Sequence, residues 1–175
     1  MDANKKIKKA YEAILAGDFE RAIDCFEQAI AEEPLEAAHY YKLAITCSRS
    51  GKLGKALNAA EAASRLAPSH EGYTQLIAHI EAMQLMEQAN DLLAHRIAEQ
   101  GKPPTIDLVM ELLEKAVRLD PLSAEAFLFL SAAYEEAGRR AMALRTVREA
   151  LRLNPKLVEA KRILARLSYI DDSLH

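Results

Sequence analysis

Residues 122–155 read LSAEAFLFLSAAYEEAGRRAMALRTVREALRLNP, and their spacing predicts two amphipathic helices joined by a tight turn. Phe127, Leu130, Ala133 and Tyr134 recur at steps of three and four, which sets them on one face of a helix. Ala137-Gly138 ends that helix, because glycine tolerates the backbone angles of a helix terminus. Ala143, Val147, Ala150, Leu151 and Leu153 make the apolar face of the second helix. Pro155 closes the unit, since proline lacks the amide that a continuing helix needs.

The unit recurs along the chain. Pro34 and Pro68 are 34 residues apart, and so are Pro121 and Pro155. Only the interval from Pro68 to Pro121 departs from the period, at 53 residues, a surplus of 19.

A helix-turn-helix repeated every 34 residues resembles the tetratricopeptide repeat, whose pattern is a large residue, Leu, a small residue and Tyr, then Gly, then Ala, an aromatic, Ala and Pro. The last unit follows it with Phe127, Leu130, Ser131, Tyr134, Gly138, Ala143, Val147, Ala150 and Pro155. The second follows it with Tyr40, Leu43, Ala44, Cys47, Gly51, Ala56, Ala60, Ala63 and Pro68. The first matches in its second half (Gly17, Phe19, Ala22, Phe26, Ala29, Pro34), and the third likewise (Val109, Leu113, Ala116, Pro121). The expected architecture is an all-α solenoid of three to four repeats. Its parts are 3–36 with a degenerate first helix, 37–70, 71–121 with an elongated first helix, 122–155, and a capping helix over 156–170.

The first helix departs from the pattern. Lys6 and Lys9 stand where the inter-helix core belongs, and the apolar stripe Ile7, Tyr11, Ile14 and Leu15 is displaced by one residue. Either the helix twists to pack differently, or the stripe forms an apolar inner groove. Asp18 and Ser50 are placed to cap helices at the turns. Leu76, Ile80, Met83, Met86, Ala89, Leu93 and Ile97 form one stripe with a mean step near 3.5, predicting a single helix over about 71–100, some 45 Å long. A break at Asn90-Asp91 is the alternative. Gly101 to Pro104 then make a turn, with Thr105 as N-cap. Such a helix would split the array into halves offset by up to about 28 Å, exposing apolar surface of the kind that forms interfaces. Met83, Met86 and Leu93 are the candidates for burial against a second copy, unless the halves fold back and cover them.

The chain has 175 residues, half of them hydrophobic and 28% charged, with net charge −3. That suits a helical protein with a sizeable core. No apolar run is long enough to cross a bilayer. The N-terminal stretch lacks the apolar core of a secretory signal. Cys25 and Cys47 form no paired motif and read as packing residues in a reducing compartment, so a cytoplasmic location is expected.

Signals for chemistry are poor. There is no Gly-rich nucleotide loop, phosphate loop or nucleophile motif. His39, His70, His79, His95 and His175 are scattered. No catalytic residue, cofactor or metal site is expected.

The resemblance implies protein–protein interaction, with a partner peptide in the concave groove lined by the first helix of each repeat. By helical phase that surface holds Tyr41, Ile45, Ser48 and Arg49 in the second repeat. In the last it holds Glu125, Leu128, Ala132, Glu135 and Glu136, and Ile7 and Tyr11 join from the first helix. An apolar, aromatic floor with polar edges suits an amphipathic helix or an extended apolar segment. The alternative is that these residues cover one another or that the long helix fills the groove. The Lys/Asn/Arg clamp by which one subclass grips heat-shock chaperone tails is absent, because the matching places hold Ile7, Tyr11, Lys42, Glu125 and Phe129.

Charge is uneven. Residues 11–36 carry eight acids and one base, whereas residues 138–168 carry nine bases and two acids. Arg145, Arg148 and Arg152 share one helical face. They are read as a solvated face, as a head-to-tail contact with the acidic end of a second chain, or as a site for an acidic partner, nucleic acid included. The net acidity and the lack of interleaved aromatics make nucleic acid the weakest of these. The expected function is therefore a non-catalytic adaptor, scaffold or assembly factor that binds a peptide or helix, with possible homodimers. The alternatives are a small chaperone shielding an apolar segment of a client protein, and a nucleic-acid-associated factor using the arginine face.

Overall fold

The computed structural model describes the backbone of residues 2–98 and 106–172, with side chains described for 2–94 and 106–168. Among the described residues every regular element is an α-helix. In order they are α1 (Ala3–Leu15), α2 (Phe19–Glu32), α3 (Ala37–Arg49), α4 (Leu53–Leu66), α5 (Glu71–Ala98), α6 (Ile106–Leu119), α7 (Ala124–Glu136), α8 (Arg140–Leu153) and α9 (Val158–Asp172). The expected turn over Gly101 to Pro104 and the expected N-cap Thr105 lie outside the described residues.

The chain forms two compact units, Met1–Ile80 and Glu81–His175. In the first, α1 packs on α2, α2 on α3, and α3 on α4. Ala10, Ala22, Ala44, Ala56 and Ala60 sit in these seams with no exposure, and Ile23 and Phe26 fill the space between them. Small residues at the seams let the helices approach closely, so larger neighbours interdigitate without voids. The turns are equally local. Gly17, Gly51 and Gly138 all have φ between 72° and 77°, a left-handed backbone open to glycine at little cost. Asp18 caps α2 by accepting from the amide of Arg21 at 3.0 Å. Ser50 instead closes α3, donating to the Cys47 carbonyl at 3.0 Å, while α4 starts at Lys52 without a side-chain cap.

The degenerate first helix keeps its place in the repeat. Its buried positions are Ala3, Lys6, Ala10 and Ala13, spaced as one helical face, so α1 has not rotated to bury its apolar stripe. Lys6 is accommodated by a stem that packs in the seam while its ammonium reaches outward. There it donates to Glu32 Oε1 at 2.7 Å and to the Gln28 carbonyl at 3.1 Å. The hydrogen bond and charge of Lys6 hold the Glu32 carboxyl below its ordinary pKa. Tyr11 and Leu15 remain 46% and 89% exposed. Cys25 and Cys47 are buried free thiols, and burial pushes the Cys47 thiol up.

The second unit has one main core. Val109, Met110 and Leu113 from α6 meet Leu130, Ala133 and Tyr134 from α7, Val147 and Ala150 from α8, and Ile163 and Leu167 from α9. Ser131, fully buried, satisfies its hydroxyl by donating to the Ala143 carbonyl at 3.1 Å. Helix α9 closes the unit with Ala160, Ile163 and Leu167 inward and Lys161, Arg162 and Arg166 outward.

Helix α5 runs without a break at Asn90-Asp91. Its single-stripe reading needs correction. Tyr73 and Ile80 are buried, then Ala82, Leu85 and Ala89. The step of two from Ile80 to Ala82 breaks the helical spacing at the boundary between the units, because each half of α5 packs into its own core. Leu76, Met83, Met86 and Leu93 are half-buried. No described helix is long and apolar enough to cross a membrane.

Candidate partner-binding site

In the first unit the groove candidates belong to α1 and α3. Tyr11 stands edge-on to Phe26, with ring centroids 6.0 Å apart and planes at 89°. The Lys42 ammonium lies 5.8 Å from the Tyr11 ring. Tyr41 packs against Tyr73 at 5.1 Å, and Tyr73 stacks on His70 at 4.1 Å. Ile7 and Ile45 are half-buried, and the exposed Arg49 places its guanidinium 5.3 Å from the Phe19 ring. Two of the aromatic faces on this unit are thus occupied by the chain's own cations, a favourable arrangement because the ring face is electron-rich.

The second unit offers a different surface. Met86, Ala89, Asn90 and Leu93 of α5, Leu113 of α6, and Phe129, Ala132, Ala133 and Glu136 of α7 line a hollow of about 100 Å³. Phe129 is 42% exposed there. A large aromatic left this open beside an apolar hollow keeps surface that burial would stabilise by about 25 cal/mol per Å². Met86 and Leu93, read from the sequence as self-association residues, line this hollow. Met83 does not, and is half-buried.

The remaining candidates have other surroundings. Leu128 is half-buried against the core of the unit. Glu135 accepts two hydrogen bonds from Arg166 of α9, both at 2.6 Å, and this pairing holds its carboxyl below the ordinary value. It therefore ties α7 to α9. On α8, Arg152 pairs with Glu149 at 2.7 Å, while Arg145 and Arg148 are exposed. Sequence reasoning placed Ala132 and Glu136 on the groove and missed Phe129, Asn90 and Leu113 as lining residues. The available signal for Phe129 was the pair Phe127/Phe129, whose spacing of two cannot bury both rings on one helical face.

Among the described residues, no group of three or more His, Cys, Asp or Glu side chains is arranged to hold a metal ion.

Comparison with known proteins agrees with this geometry. The chain is similar in structure to MamA (residues 41 to the end) from Desulfovibrio magneticus RS-1, with a TM-score of 0.55, 16% identity, and coverage of 97% of this chain and 85% of that one. It is also similar to MamA of AMB-1, with a TM-score of 0.51, 18% identity, and coverage of 97% and 82%. At such identities the likeness concerns the fold. No curated protein sequence matches. The tetratricopeptide repeat family profile matches residues 7–71 and 111–158. It leaves out the length of α5 where the surplus residues lie. With well over half its residues matched, the chain belongs to the tetratricopeptide repeat family, an all-α solenoid fold whose members are generally non-catalytic protein-interaction modules.

Proposed function

We propose that this protein is a non-catalytic adaptor that binds an apolar segment of a partner protein in the hollow between α5, α6 and α7. One observation carries the reading: the half-exposed ring of Phe129 beside a hollow floored by Leu113 and Met86. Asn90 and Glu136 supply polar groups among otherwise apolar walls, the composition that orients a ligand within a mainly hydrophobic site. The aromatic surface of the first unit, with Tyr11 and Tyr41, is less available because Lys42 and Tyr73 already pack on those rings.

Peptide display against the full chain tests the proposal. The selected peptides should carry apolar anchors at helical or alternating spacing. The exposed Ala132→Arg change should weaken a selected peptide about tenfold or more, by setting a charge over the apolar floor, and leave the helical circular dichroism unchanged. Equal affinity of the variant and the parent would place the binding elsewhere.

A further inference from the structure

A second hollow, of about 450 Å³, opens on α7 and α8. Its apolar part is Phe127, Tyr134 and Met142, and its rim carries Arg145, Arg148 and Glu149. On α7, Phe127 and Tyr134 lie about half a turn around the helix from Phe129, Ala132 and Glu136, at roughly 100° per residue. The two hollows are therefore separate surfaces of the same unit.

The polar groups around the second hollow are unequally committed. Tyr134 donates its hydroxyl to Glu114 at 2.8 Å. Glu149 is held by Arg152 at 2.7 Å. Arg145 and Arg148 have no carboxylate partner among the described residues. Each projects a planar fork suited to bidentate recognition of a carboxylate. Three residues apart on a helix, their Cβ atoms stand roughly 5–6 Å from one another, so both forks can meet one short segment.

The acidic end of a second copy is a poor complement. In the acid-rich stretch, Glu20 is paired with Lys52, Glu27 with Lys55 at 2.8 Å, Glu32 with Lys6 at 2.7 Å, and Glu33 with His39 at 3.0 Å. Asp18 and Glu36 cap helices. Those carboxylates are engaged within their own unit. Nucleic acid fits no better, because only two guanidiniums face the hollow, Glu149 stands among them, and the chain is net −3.

We propose that this hollow takes an acidic segment of a different protein, with carboxylates on Arg145 and Arg148 and an aromatic or large apolar side chain against Phe127 and Met142. The probe is a fluorescein-labelled peptide of glutamates flanking a single phenylalanine, titrated into the full chain at low salt and read by anisotropy. The double change Arg145→Ala/Arg148→Ala should weaken binding about tenfold or more, as expected for loss of two charge-assisted contacts. The charge-matched control Lys156→Ala/Lys161→Ala should change it less than about twofold. Replacing the peptide's phenylalanine by alanine should also weaken it. The proposal is overturned if the unaltered chain does not bind the peptide, or if both doubles weaken it equally. It is likewise overturned if the alanine peptide binds as well, or if a single-stranded oligonucleotide of equal charge binds more tightly.

Discussion

Leu113→Ala asks whether the hollow beside Phe129 is open in solution, and Leu130→Ala supplies the scale. Leu113 is 2% exposed and forms part of the hollow's floor, whereas Leu130, 4% exposed, belongs to the same core without lining it. Both changes delete the same carbons, worth about 2.4 kcal/mol at ~0.8 kcal/mol per carbon. A void sealed by neighbours adds about 24 cal/mol per Å³. Around Leu130 the void is enclosed by α6, α8 and α9, so the total should approach 4 kcal/mol, toward the upper part of the roughly 2–5 kcal/mol range for buried leucines. Around Leu113 the void merges with an existing hollow of about 100 Å³ that Asn90 and Glu136 also line. Water can enter a roomy site with polar partners, so the surcharge should be small and the total about 2.5 kcal/mol. Urea unfolding followed by far-ultraviolet circular dichroism measures both, with matched m-values as the check on comparability. The variants lie in the same unit, so any separate unfolding of the other unit cancels in the comparison. If Leu113→Ala costs as much as Leu130→Ala or more, the hollow is closed in solution and the binding proposal loses its site.

Two further outcomes follow from charged and polar groups. Lys6→Met should be tolerated, since it keeps the buried stem and the Glu32 side chain is 41% exposed, whereas Lys6→Glu sets two carboxylates together at the α1–α2 seam. Hydrogen exchange should show the α1 amides at least about tenfold less protected in the glutamate variant than in the methionine variant, and equal protection would refute the seam contact. Tyr134 has its pKa pushed up to about 12, by burial first and by its bond to Glu114 second. Raised above the unfolded value near 10, it contributes stability that is complete below about pH 10 and is lost as pH rises through about 12. Tyr134→Phe should therefore cost about 1 kcal/mol at neutral pH and show a shallower alkaline loss of stability. An unchanged alkaline slope would count against the Tyr134–Glu114 bond.

The repeat was legible because its determinants are local. The spacing of the prolines, the glycine at each turn and the small-residue seams all act within one 34-residue unit, and the long and capping helices, expected over about 71–100 and over 156–170, are described as Glu71–Ala98 and Val158–Asp172. The inner face of α1 was harder to read, because hydropathy assigns lysine to solvent. Lys6 is buried by its stem and satisfied at its tip, so the register of α1 depends on Glu32 and Gln28, more than twenty residues away in sequence. The surplus in α5 was legible as length and continuity. Its pattern misled because a step near 3.5 describes a helix with one buried side. Ile80 and Ala82, both buried and two residues apart, break that spacing where one unit ends and the next begins.

Surface charge was the least legible layer, for a reason visible in the partners. Counting residues makes 11–36 and 138–168 mirror images, acidic against basic. The folded chain treats them differently. Lys6 of α1, Lys52 at the N-cap of α4 and Lys55 of α4 reach to the glutamates of α2, because adjacent helices of a repeat array present rows of long side chains to one another. Around α8, Glu149 is paired with Arg152, Glu135 of α7 with Arg166, and Glu114 of α6 accepts from Tyr134, and Arg145 and Arg148 stand over a partly aromatic hollow. Exposed ion pairs contribute little stability, at about 0–1 kcal/mol each. The pairing on α2 therefore matters less for holding the fold than for deciding which charges remain to meet another molecule. By that criterion the surfaces proposed for interaction are the arginine hollow on α7–α8 and the apolar hollow beside Phe129, whereas the acidic stretch spends much of its charge within its own unit.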